Sequence, residues 1–442
     1  MGRFWGRSCI VIALLMVSSF AFASSESEVV QQNLNSVLLV VAATLVLLMQ
    51  LGFAFLEAGV CRSKNVVNIM MKNFVDLAIC STVFVMIGYA FLFGENLTGL
   101  IGTSHFFLNG LGDVDYSFVV YQMMFAATAV TITSGAMAER TQFFAYLLSA
   151  VMITAIIYPI AASWIWGGVH GGQGWLAKLG FIDYAGSTAV HSVGGWVALV
   201  GVLVVGARTG RFDEKGKPTL ILGHNISYVA FGGMILWVGW FGFNSGSIAS
   251  ADITIGKVVL ITQMGAAGGI IGSMIIQKLM KQPLLLVTSI NGALGGLVSI
   301  TAGAGTMDPW FGFLAGVIGG IIVYLGERAL LSLKIDDVVG AVPVHAFAGF
   351  WGTIAAGIFY SGDLFSFSRI VTQLIGAVSI MLWAVLAALA VYLTINILFG
   401  LRVERRAERR GLDYSEHYEV AYPEFVSVVT HHEKTAKTGV VR

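Results

Sequence analysis

The chain has 442 residues, of which 57% are hydrophobic and only 11% charged, with a net charge of +1. A soluble globular chain carries about 25% charged residues, so the composition excludes an ordinary soluble domain and describes a polytopic membrane protein. The near-neutral balance offers no basic surface for nucleic acid, and Cys9, Cys61 and Cys80 have neither metal-ligand spacing nor a disulfide framework.

Residues 1–23 read as a cleaved secretory signal peptide. Arg3 and Arg7 form its basic region, residues 10–20 its apolar run, and Ala21-Phe22-Ala23 its small-residue cleavage site. An uncleaved first helix is the alternative. Cleavage leaves the new N-terminus outside. Eleven apolar segments follow, near 36–60, 67–93, 116–137, 142–165, 188–207, 222–243, 255–278, 284–303, 310–333, 342–360 and 369–400. Each approaches the roughly 20 residues that a spanning helix needs. The 54 glycines suit helices that pack closely in lipid. An outside start and an odd number of spans put the tail, 401–442, inside. Charge gives the same answer by a separate route. Arg62, Lys64, Arg140, Arg208, Arg211, Lys215, Lys217, Lys278, Lys281, Arg328 and Lys334 fall in the loops placed inside, and Arg402, Arg405, Arg406, Arg409 and Arg410 in the tail. The outer loops are mostly acidic. This predicts an all-α protein of eleven transmembrane helices over 36–400.

One motif occurs twice. Asp183 and His191 stand at the same interval as Asp337 and His345. Gly186 and Gly340 follow each acid at the same distance, and Gly195 and Gly349 each histidine. The first copy enters the membrane from outside and the second from inside. This is the mark of an inverted five-plus-five repeat, whose sites lie near the midplane between the halves. Gly-rich approaches predict broken or re-entrant starts.

Ionisable side chains in hydrocarbon face a bundle interior or a wet cavity. A lone buried histidine is commonly a satisfied core residue, but two in matched contexts point to a pair. If the rings touch, like charges at contact forbid both from being charged. Such a pair can accept, donate and relay one proton. A metal needs three or four ligands, and none stands near the pair in sequence. Asp183 and the pair Asp336-Asp337 read first as helix caps, with Asp183 also biasing the outer vestibule toward cations. Tyr121 and Phe125 fall in the outer half of the third segment, Trp166 ends the fourth, and Trp240 and Phe243 lead into Ser247. Aromatic residues there usually form an interfacial belt. A ring of them around a hydroxyl can instead hold a small cation, at roughly 0.5–2 kcal/mol. No nucleophile constellation, cofactor motif or metal site is visible, so no enzyme and no cofactor are expected.

Several blocks together carry a resemblance: residues 55–59 (Phe-Leu-Glu-Ala-Gly) with Arg62-Ser63-Lys64-Asn65, residues 135–140 (Gly-Ala-Met-Ala-Glu-Arg), residues 183–191, residues 239–247, residues 336–345, and the tail pattern of Gly400-Leu401-Arg402 with Gly411-Leu412-Asp413 and Glu416-His417. Over 36–425 the chain resembles the ammonium transporter, methylammonium permease and Rhesus family, and its ammonium-transporter branch best. The resemblance implies an outer ammonium recruitment site formed by Trp166, Phe125 and Ser247 and supported by Asp183. It implies a gate of stacked rings, Phe125 and Phe243, and a pore lined by His191, His345 and Trp240. It also implies a homotrimer in a bacterial inner membrane, with a periplasmic N-terminus, a cytoplasmic C-terminus and possible control from inside by a PII-type signalling protein. Val338 replaces a common proline, and Tyr121 stands where phenylalanine is expected, adding a hydroxyl near the gate. The polar end of the tail, with His431-His432, reads as a disordered extension or as a linker to a fused signalling domain. The expected function is ammonium uptake, and the alternative is an ammonium sensor of the same fold signalling through its tail.

Overall fold

Each of the eleven apolar segments forms a helix. In the computed structural model, which describes the backbone of residues 2–425 and the side chains of residues 26–425, α1 ends a longer helix that begins at Gly2 and spans Glu26–Val60. It is followed by α2 (Ser63–Phe93), α3 (Asp115–Ala136), α4 (Phe143–Trp166), α5 (Ser187–Val205), α6 (Ile226–Ile248), α7 (Ile255–Leu279), α8 (Leu286–Thr301), α9 (Pro309–Ser332), α10 (Val342–Ile358) and α11 (Phe367–Phe399). Among the described residues, nine of these are long and apolar enough to cross a membrane, and α8 and α10 are shorter apolar helices. No strand forms among the described residues. The side chains of the expected signal segment and the His431-His432 stretch lie outside the described residues.

Small residues let the helices close on one another. A side chain on Gly269 of α7 or Gly296 of α8 would strike backbone of the facing helix, and Gly316 and Gly320 of α9 meet α7 in the same way. In lipid, where apolar burial gives no net drive, such backbone contact is what holds helices together.

The basic residues expected inside converge at one end of the bundle, as the loop charges require. Arg208 donates to Asp336 at 2.8 Å and to Glu139 at 3.1 Å, Arg62 meets Glu139 at 2.7 Å, and Arg211 meets Asp336 at 3.2 Å. Asp336 therefore does not share the capping role expected for both acids of its pair. It is the anion of this network, and only Asp337 caps a helix. Arg140, fully buried, donates to the carbonyls of Ala136, Ala138, Gly206 and Asp336 and so satisfies chain ends that α3 and α5 leave open.

The tail folds back across this end. Its short helices α12 (Arg405–Arg410) and α13 (Leu412–His417) are held by Lys64 donating to the carbonyls of Glu408 and Arg409. Leu412 N–H donates to Asn65, and Asn68 N–H donates to Asp413. Glu408 accepts from Arg402 at 2.7 Å and from Thr209 N–H at 2.6 Å, tying the tail to the loop after α5.

Burial works to raise the Asp336 carboxyl, but the hydrogen bonds and charge of Arg208, with the charge of Arg140, outweigh it and hold the group down at about 2. A depressed acid contributes stability above its unfolded value, near 3.8, and loses it as pH falls through the folded value. Asp336→Asn is expected to lower stability by about 2 kcal/mol or more at neutral pH. In thermal melts of detergent-solubilised protein, the gap to wild type should then close as pH falls from about 4 toward 2.

Candidate functional site

Two carboxylates start the two histidine-bearing helices. Asp183 accepts from the N–H groups of Gly186 (3.0 Å), Thr188 (3.1 Å) and Ala189 (2.8 Å). Asp337 accepts from Gly340 (3.1 Å) and Val342 (2.7 Å). Each cap needs its chain to turn through a left-handed residue, and glycine supplies it at Gly186 (φ 109°) and Gly340 (φ 79°). Burial pushes the Asp183 carboxyl up to about 6 against the pull of its three N–H partners, which leaves it ionised at neutral pH. The matched intervals in the sequence thus correspond to matched local geometry.

Both helices then open with a wide turn rather than an α-turn. Residues Ser187–Ser192 and Val342–Phe347 are π-helical, a form that marks functional sites. His191 and His345 project from these turns, buried, with ring centroids 5.2 Å apart and planes 20° apart. Their Nδ1 atoms are 3.2 Å apart, so one donates and the other accepts. One ring must then present N–H at Nε2 and the other a lone pair there. His191 Nε2 is buried and has no partner among the described residues.

Close approach of the two helices depends on the glycines that follow the histidines. A side chain on Gly195 would run into the backbone of Ala346 and His345, and one on Gly349 would meet Ser187 and Ser192. Thr188 and Thr353 share a hydrogen bond of 2.6 Å across the same contact. Trp240 stacks on His191 at 4.9 Å, and its indole N–H donates to Thr301 at 2.9 Å.

Above His191, Phe243 lies 5.2 Å away and stacks on Phe125 at 4.0 Å with planes 13° apart. Trp166 stands 6.1 Å from Phe125, and its indole N–H donates to the carbonyl of Asp183 at 2.7 Å. The structure thus brings Phe125, Phe243, Trp166, Trp240 and both histidines into one column. Asp183 joins it through its backbone, because its carboxylate is spent on capping. Ser247 sits at the edge, 3.1 Å from the Phe243 carbonyl and 3.0 Å from the Tyr121 hydroxyl. Tyr121 donates to that same carbonyl at 2.5 Å and lies 4.7 Å from Phe125, so the unexpected hydroxyl is wired into both the ring pair and the serine.

Sequence reading passed over the opposite side of the pair. His345 shares a cavity of about 20 Å³ with Phe53, Glu57, Thr131 and Asn291. The available signal was charge: Glu57, Lys72 and Asp76 are ionisable groups inside apolar segments, and all three are buried, which makes each a candidate functional group.

Residues 37–422 match the description Ammonium Transporter Family. Ammonium transporter Amt2 of Archaeoglobus fulgidus is 38% identical across 98% of this chain and 99% of its own. Ammonium transporter 3 of Dictyostelium discoideum is 36% identical across 86% of this chain and 92% of its own. Among solved structures, one described as Sensor Amt Protein superposes with a TM-score of 0.86 at 37% identity, covering 88% of this chain and all 100% of that one. Saccharomyces cerevisiae Mep2 superposes with a TM-score of 0.77 at 28% identity, covering 84% and 87%.

Gly195→Ala is expected to cost about 1–3 kcal/mol through overpacking against α10. Gly256→Ala, where a methyl meets nothing within 4 Å, should leave the melting temperature unchanged or higher. Tyr121→Phe removes the hydroxyl bridge and is expected to cost about 1 kcal/mol, read in the same melts.

Proposed function

The chain belongs to the ammonium transporter family, and from that membership we propose that it imports ammonium through the column that holds His191 and His345. The observation that carries this reading is the buried imidazole pair, its Nδ1 atoms 3.2 Å apart, lying directly behind the stacked rings of Phe125 and Phe243.

The physical problem is selectivity. Ammonium and potassium are alike in charge and close in size, but only ammonium can lose a proton. A bare ion in an apolar passage costs several kcal/mol or more. Ammonia and a separately relayed proton avoid that cost. In this reading Trp166, Phe125 and Ser247 recruit ammonium by cation–π attraction and a hydroxyl contact, while Asp183 holds the entry turn and Trp166 in place. Phe125 and Phe243 then close the way to a hydrated ion. Ammonium gives up its proton near these rings, ammonia passes the histidines beside Trp240, and the proton crosses through the shared N–H···N contact.

The family membership supports further parts of the same proposal. The protein acts as a homotrimer in a bacterial inner membrane after removal of residues 1–23, with its N-terminus periplasmic and its tail cytoplasmic. A PII-type protein is the proposed partner at the inner face. The likeness to a protein described as a sensor, together with a tail folded across the inner loops, favours one second reading: ammonium binding reported through the tail or a domain beyond it.

An ammonium pulse on proteoliposomes carrying the purified protein decides between them. A saturating current is expected, lost when His191→Ala is combined with His345→Ala. Current unchanged with both histidines replaced by leucine would defeat the twin-histidine pathway. No current from the wild-type protein, with ammonium binding retained, would favour the sensor.

A further inference from the structure

Glu57 lies in the last turn of α1 and is buried at 1% exposure. Its Oε2 accepts from Asn73 of α2 and Ser134 of α3, each at 3.2 Å. Both donors are neutral. Lys72, Asp76, Cys61 and Tyr146 are within electrostatic reach, yet Glu57 forms no ion pair among the described residues, and the Lys72 ammonium has no hydrogen-bond partner there. A carboxylate buried only for structure is ordinarily locked to a cation. Glu57 instead accepts from two neutral donors, with no cation bonded to it among the described residues.

Its position matters as much as its partners. The cavity it lines holds His345 but neither His191 nor the gate rings, and it reaches residues 339–341 before α10. The order along the column is therefore Phe125 and Phe243, His191, His345, then Glu57. The cavity, at about 20 Å³, has room for a single water, which needs roughly 10–15 Å³ by such a measure, and ammonia is of similar size. Because His191 engages Nδ1 of His345, Nε2 is the nitrogen of that ring able to pass a proton on.

We infer that Glu57 is the inner proton carrier of the pathway, taking the proton relayed through the imidazole pair and returning it to ammonia in this cavity. The inference rests on the transport reading above. In the first step an N–H bond of His345 breaks and an O–H bond forms on the Glu57 carboxylate. In the second that O–H bond breaks, an N–H bond forms on ammonia, and ammonium leaves toward the inner face. The carboxylate ends as it began, and the two imidazoles end neutral but in exchanged tautomers, which reorientation of their N–H groups restores before the next proton. Asn73 and Ser134 hold the carboxylate toward the cavity and are positioning residues.

The test uses full-length protein in proteoliposomes, an ammonium pulse, and two simultaneous readouts: current, and lumenal alkalinisation above that of empty liposomes, which reports entry of neutral ammonia. Glu57→Gln that elutes like wild type on gel filtration is expected to lose at least tenfold of the current while alkalinisation rises above that of wild type, because ammonia then enters without its proton. If that variant does not fold, Glu57→Asp, with its carboxyl drawn back, is expected to lose at least threefold of the current with alkalinisation above that of wild type. Current within twofold of wild type in the folded variant overturns the inference. So does loss of current with no rise in alkalinisation, which would mark Glu57 as a support of the pore wall. A wild-type protein without current defeats the transport reading and this inference together, whereas normal wild-type current unaffected at Glu57 defeats this inference alone.

Discussion

One hydrogen shared between Nδ1 atoms 3.2 Å apart sets the terms for everything around His191 and His345. Two imidazoles at contact in an apolar interior cannot both be charged, so the pair has a single proton to pass and two outer nitrogens with opposite roles. That arrangement survives only if the rings are held at contact. The hold comes from backbone: paired aspartate caps, left-handed glycines at the entry to each turn, π-helical openings, and glycines at 195 and 349 that let each helix press its backbone against the other. Flat rings complete the enclosure, with Trp240 stacked on His191 and fixed by Thr301.

The two ends of the bundle solve different problems. Beyond His191 the column carries stacked aromatic rings, and the polar groups beside them are shared: Tyr121 and Ser247 both approach the carbonyl of Phe243. The opposite end, where the tail lies, is ionic. Arg208 bridges Glu139 and Asp336 with its side chain almost wholly out of water. A desolvated network of this kind contributes little net stability but is costly to break in part. It therefore fixes the geometry of the loops on which the tail rests. Lys64, Asn65 and Asn68 then receive the tail directly, so a change in tail position has a physical route to the start of α2.

Glu57 belongs to neither end. It lies between the pair and the inner loops, bonded to neutral donors, with Lys72 and Asp76 nearby. The repeat is not exact around the pair: His345 shares its cavity with Glu57, whereas His191 faces the ring of Phe243 at 5.2 Å. The two flanks of the pair therefore differ in chemistry, aromatic on one side and carboxylate on the other.

Much of this was legible in the chain. Eleven apolar helices and the doubled Asp–Gly–His–Gly pattern follow from local properties: apolar length and spacing along the chain. Trp240 and Phe243 could be named because a short block of sequence carried them, and Phe125 and Trp166 by their position in the family resemblance. What the sequence could not decide was which distant groups meet. Asp336 and Asp337 are neighbours in the chain, yet one turns to Arg208 and the other to the start of α10, a division that depends on the loop after α5 arriving alongside. Tyr121 acquires its partners only because α6 packs against α3. Glu57 stood in the sequence only as part of the block at 55–59, and its place beside His345 comes from α10 reaching the same cavity. Spacing along a helix sets which face a side chain occupies, but contact between helices far apart in sequence is set by packing, and packing alone placed the carboxylate behind the imidazole pair.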